Sequence, residues 1–169
     1  MKDYVVRSSL EEKFEKILNL VATNLQLSVY DFEYFPSKFL LTVFIINENT
    51  KTASIEECIR FDKSIDPYIE NEAWVPAKLV LEVSSPGLER KLRISKHFQY
   101  SLGEQVALHL EKELGQILTE SPEKMKKNKQ FKGKLLKANV ESIEIEDELK
   151  HCYVIPMEYI SKAKQIFKF

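Results

Sequence analysis

Lys124, Lys126, Lys127, Lys129, Lys132, Lys134 and Lys137 fall within fourteen residues that hold no acidic group. Such a run attracts phosphate oxygens, and with a single aromatic nearby, Phe131, it suits the backbone of a nucleic acid rather than its bases. A solvated loop that merely keeps the protein soluble would read the same way. Arg90, Arg93 and Lys96 form a second basic segment, equally compatible with a hydrated linker and with RNA contact. Catalysis has less to work with. His97, His109 and His151 share no metal-ligand spacing, no serine sits in a GxSxG elbow, and Ser84-Ser85 stands before Pro86, where turn chemistry accounts for it. The four glycines form neither GxGxxG nor a Walker-type loop. No catalytic residue, metal or cofactor is therefore expected.

Length and composition set the frame for these groups. The 169 residues, 44% of them hydrophobic, suit one ordinary domain or two small ones. The net charge of -1 conceals an asymmetry. Residues 1–77 carry 8 basic and 13 acidic groups, whereas residues 78–169 carry 17 and 13, so the positive potential belongs to the second half. Cys58 and Cys152 match no metal or redox spacing and read as free thiols of a reducing compartment. No apolar run approaches the ~20 residues that span a bilayer, so a cytoplasmic protein without membrane contact is expected.

The first half reads as helix, strand, strand, helix, strand. Ser8 and Ser9 each precede a glutamate by three residues, a capping-box pattern, and Leu10, Phe14, Ile17, Leu18, Val21 and Leu25 repeat at helical spacing. Tyr30, Phe32 and Tyr34 then alternate with acidic residues, Pro36-Ser37 interrupts, and residues 39–46 resume the strand pattern, which makes a hairpin whose aromatic stripe belongs to the core. Ser54 and Glu57 give a second capping box, and Asp66-Pro67 should end or kink the helix that follows. The order is that of some KH-like layers, but no GxxG is present and this half is acidic, so a protein-facing α+β domain is the expectation. In the second half, short alternating runs at 105–110, 131–140, 142–146, 151–155 and 163–167, with a tight turn at 156–160, suggest a small partly closed barrel. The polar stretch between Leu110 and Phe131 reads as an extended loop projecting from it.

Between the halves lies LVLEVSSPGLERKL, residues 79–92. Its first part alternates as a strand, Pro86 stops it, and Gly87 supplies the positive φ that a turn needs, so Ser84, Ser85, Pro86, Gly87 and Arg90 are expected to form an interdomain hinge. Domains are placed at 1–86 and 98–169, with a linker at 87–97.

This string, followed by His97-Phe98, resembles the ribosome maturation factor RimP family. Ser54-Ile55 with Cys58 on the second helix, Gly103, and Phe131-Lys132-Gly133-Lys134-Leu135 fit the same pattern. The sequence departs from it at Lys91, where the family usually has proline, near Gln26, where a glycine is usual, and in an insertion within 113–130. The resemblance implies an SH3/Sm-like barrel after the α+β domain. It also implies a non-enzymatic, monomeric factor of the bacterial cytoplasm that binds the immature 30S subunit. The implied partners are 16S ribosomal RNA and the ribosomal protein at the decoding centre. On this reading Arg90, Arg93, Lys96, Lys124, Lys126, Lys127, Lys129, Lys132 and Lys134 are the candidate RNA-contacting residues. An Sm-like RNA-binding protein acting as a general RNA chaperone is the alternative, and an SH3-like peptide adaptor a weaker third.

Overall fold

The computed structural model of the chain describes residues 7–70, 72–118 and 126–167. Its contacts divide into two compact units, one ending at Gly87 and the other beginning at Leu88.

In the first unit, helix α1 (Ser9–Asn24) starts where Ser8 caps it, with the Ser8 side chain accepting from the Glu11 amide and the Glu11 carboxylate accepting from the Ser8 amide. Its buried stripe is Phe14, Leu18, Val21 and Ala22. The helix ends at a residue type that disfavours the required backbone. Gln26 has φ 58°, its amide bonds to the Thr23 carbonyl, and the Leu27 amide reaches back to Ala22, the paired bonds of a Schellman turn. This is the place where the resemblance expected a glycine. Gln26→Gly should accordingly raise the stability of this unit by about 1 kcal/mol through relief of the left-handed conformation, measurable as a higher denaturant midpoint at unchanged slope.

Strands β1 (Ser28–Phe35) and β2 (Leu40–Ile46) form the expected antiparallel hairpin around a short 3-10 turn at Pro36–Lys38. Cross-strand partners Phe32 and Val43, and Tyr34 and Leu41, share the face that α1 covers. Helix α2 (Ile55–Ile69) begins at the Ser54–Glu57 capping box. The Asn47 amide and the Ser54 amide together hold the Glu57 carboxyl below the usual carboxylate range. Pro67 does not end this helix; it sits in the last turn, and the Glu70 amide still bonds to the Asp66 carbonyl. Helix α2 then crosses to β3 (Val80–Ser84), which runs parallel to β2, so the sheet order is β1-β2-β3 with β3 at the edge. Parallel pairing requires such a crossover helix.

The second unit opens with a short helix, α3 (Ser95–Tyr100), which sequence reading did not anticipate. It buries Phe98 completely and His97 almost so. Strands β4 (Gln105–Leu110), β5 (Gln130–Ala138), β6 (Ser142–Glu146), β7 (Cys152–Pro156) and β8 (Ile160–Ile166) follow, each close to its expected place. They form one antiparallel sheet in the order β7-β6-β5-β4-β8. The sheet is not closed into the expected barrel. β7 ends on Pro156, which has no amide to donate, and the chain passes through a 3-10 turn at Met157–Tyr159 before β8 pairs with β4 instead. Inward residues of all five strands, among them Val106, Leu108, Leu135, Ile145, Ile155 and Ala163, gather with Phe98 in a single core.

The beginning of the stretch expected to project as a loop is in fact packed. Leu114, on the one-turn helix α4 (Leu114–Ile117), is fully buried in that core, with Ile117 and Leu118 against it. The Leu114 and Gly115 amides bond to the Asn128 and Lys126 carbonyls. Three apolar residues within ELGQIL were enough to anchor a segment whose average composition is polar.

Candidate nucleic-acid interface

The charged residues of the second unit are sorted by strand alternation. On β4, Val106, Leu108 and Leu110 point into the core, which leaves Gln105, Ala107 and His109 on the outer face. On β5, Phe131, Gly133 and Leu135 are buried while Gln130, Lys132 and Lys134 are exposed or face out. On β8, Ala163 and Gln165 are buried while Lys162 and Lys164 face out.

Register then aligns these groups. Ala107 pairs with Lys132 on one side and with Lys164 on the other, and Lys164 in turn forms an isolated antiparallel bridge with Lys91. One step along, His109 lies between Gln130 and Lys162. The result is a groove of about 760 Å³ with Ala107 on its floor and Lys91, Arg93, Lys132, Lys162 and Lys164 among its lining residues. A neighbouring hollow of about 580 Å³ shares His109, Gln130 and Lys132 with it and is lined further by Lys127 and Lys129. Glu89 approaches this face, its carboxylate 3.4 Å from the Lys164 ammonium, with both side chains more than half exposed. An exposed pair of that length contributes little and is easily exchanged for another anion.

The opposite flank of β5 is neutralised. Lys137 bonds to Glu144 at 2.7 Å, which holds its ammonium more firmly protonated than usual, and Lys150 pairs with Glu146 at 2.8 Å in the same manner. The lysine run of the sequence is therefore not one electrostatic object. Lys132 and Lys134 face out on β5, Lys137 belongs to a cross-strand pair, and Lys129 donates to the Glu111 carbonyl at 3.2 Å. Lys126 and Lys127 lie at the turn before β5, and Lys124 falls outside the described residues.

The junction residues are likewise divided. Ser84 closes β3, its hydroxyl donating to the Ser85 carbonyl at 3.2 Å, Pro86 follows, and Gly87 takes φ 75° as its position before the basic segment required. Arg90 is buried, 7% exposed, within the second unit, and its carbonyl accepts from the Gln165 amide. The Leu92 amide donates to the Ala163 carbonyl. These two bonds flank Lys91 and set its bridge to Lys164. Arg93 is half-buried and its amide donates to Nδ1 of His97, which leaves that ring's proton on Nε2 when neutral. The exposed Lys96 stands 5.5 Å from the centre of the Tyr100 ring.

Sequence reasoning missed Lys91, Lys162 and Lys164. The signal was there in ISKAKQI, where two lysines alternate with residues that turn inward, but the strand was expected to start only at Ala163 and so lost its first lysine. In the first unit, a separate hollow of about 410 Å³ lies beside α2 and β3, lined by Cys58, Ile59, Leu81 and Val83. Among the described residues, no three histidine, cysteine or acidic side chains gather as a metal site, and no helix is long and apolar enough to cross a membrane.

Residues 17–89 match the family model of the RimP N-terminal domain. The matched segment runs from within α1 through β3 to just past the SSPG turn, the portion whose helix, hairpin, helix and edge strand were described above. Over this segment, 73 of the chain's 169 residues, the protein is similar to the RimP N-terminal domain.

Proposed function

We propose that the protein is a non-enzymatic assembly factor that binds the immature 30S ribosomal subunit in the cytoplasm and assists its maturation. The observation that carries this reading is the match of residues 17–89 to the RimP N-terminal domain. Five short antiparallel strands with a 3-10 turn before the last support an SH3/Sm-like reading of the second unit despite its open sheet. The acidic first half suits a basic protein such as the ribosomal protein at the decoding centre, and the basic second half suits 16S ribosomal RNA. Two modest contacts held in one monomeric chain reinforce each other. Co-sedimentation tests the proposal. The protein should travel with free small subunits and not with assembled ribosomes, and equal association with both would overturn it. The cationic face of the second unit also favours a second reading, a general RNA chaperone, which would bind naked RNA as tightly as it binds subunits.

A further inference from the structure

We infer that the outer face of β5, β4 and β8, together with the residue 91–93 segment, is a docking site for the phosphate backbone of RNA, read without regard to base sequence. The inference rests on the assembly-factor reading and deepens it by naming the surface that meets RNA. Its first support is charge. Lys132, Lys164 and Lys91 stand in one cross-strand row with Lys162 in the next, and the exposed Glu89 approaches Lys164. Adjacent strands lie ~4.8 Å apart, so the row spreads its three cations over roughly 15 Å. A duplex presents a charge every ~1.7 Å of its axis, and several phosphates would face such a row together.

The second support is what the groove lacks for reading bases. Ala107 on the floor lets a backbone approach closely, while the lining aromatic, Phe131, is 2% exposed and turned into the core, 5.0 Å from Tyr153. Among the described lining residues that leaves only the His109 imidazole as a ring on the outer face, too little for a platform of successive stacked bases. Arginine forks fit carboxylate and phosphate alike, but an evenly spaced row of lysine point charges over roughly 15 Å suits the regular charge spacing of a phosphate backbone. RNA is thus favoured over an acidic protein.

The test uses the full chain carrying Lys132→Gln, Lys162→Gln and Lys164→Gln together, with a short mixed-sequence RNA duplex as probe. Each lost phosphate contact should flatten the slope of log affinity against log salt by roughly 0.7 to 0.9, so the triple variant should be flatter by about 2 and roughly tenfold weaker at low salt. Lys150→Gln, which removes a lysine already paired with Glu146, should leave the slope as it was. A thermal midpoint equal to the parent's shows that the exposed replacements did not disturb the fold. An unchanged slope in the triple variant, or a marked sequence preference in the parent, would overturn the inference. So would loss of binding to polyglutamate with RNA binding intact, which would assign the face to an acidic protein. Small-subunit co-sedimentation of both proteins separates the two levels. If the parent binds subunits while the triple variant keeps its RNA slope, this site fails and the family reading does not; if the parent ignores subunits, the assembly reading fails instead.

Discussion

Gly133→Ala should destabilise the second unit by about 2–4 kcal/mol, although it adds a single methyl group. Gly133 lies inside β5 with its φ outside the left-handed region, so the reason is space and not backbone freedom. A Cβ built there would overlap the carbonyl oxygen of Glu146 and press on its carbonyl carbon and on Cγ1 of Ile145, each at 3.0 Å. The first two are backbone atoms of β6, which cannot swing aside as a flexible side chain would. Relief requires β5 and β6 to separate where Lys134 pairs with Glu146, and Leu135, the next inward residue, is fully buried. Gly103→Ala supplies the contrast. Its φ of 85° makes any side chain strained, yet nothing lies within 4 Å of the added carbon, so only about 1 kcal/mol should be lost. For a unit of this size each kcal/mol moves the thermal midpoint by roughly 4–8 °C. Midpoints that fall equally in the two variants, or a Gly133→Ala protein that melts like its parent, would show that β6 yields readily.

The pattern of agreement between sequence and structure follows from how local each signal is. Both capping boxes, the hairpin at Pro36 and the positive φ at Gly87 depend on residues within a few positions of one another, and each formed as expected. Strand positions in the second half were legible because period-two alternation survives without knowledge of partners. Closure into a barrel was not legible, since it depends on whether β7 and β8 pair, and that is decided by Pro156 and the 3-10 turn between them. The parallel pairing of β2 and β3 is equally non-local. Charge misled for a related reason. A run in sequence was treated as one patch, but a carboxylate of β6 neutralised Lys137, while β8, more than twenty residues away, supplied Lys162 and Lys164 to the same face as Lys132.

Leu92 carries the sharpest of these differences, because it sits in a segment expected to be a connector without an apolar stripe. In the structure it is 1% exposed and belongs to the core of the second unit. The charged neighbours that made the segment look hydrated do not contradict this. In an extended chain Lys91 and Arg93 flank Leu92 on the opposite face, so one inward side chain suffices, and a single residue makes no visible stripe. Backbone pairing holds it there, through the Leu92 amide to the Ala163 carbonyl and the Gln165 amide to the Arg90 carbonyl, which together extend the sheet beyond β8. Leu92→Ala should therefore cost about 2–5 kcal/mol, the range for emptying a buried leucine site. The same substitution in a solvated linker would cost less than ~0.5 kcal/mol. Hydrogen exchange adds a local reading, since the amides of Leu92 and Gln165 should lose protection by more than those at the far edge in β7. A denaturation midpoint within error of the parent, with those two amides still protected, would return residues 90–92 to the status of a connector and leave Lys91 without a fixed place beside Lys164.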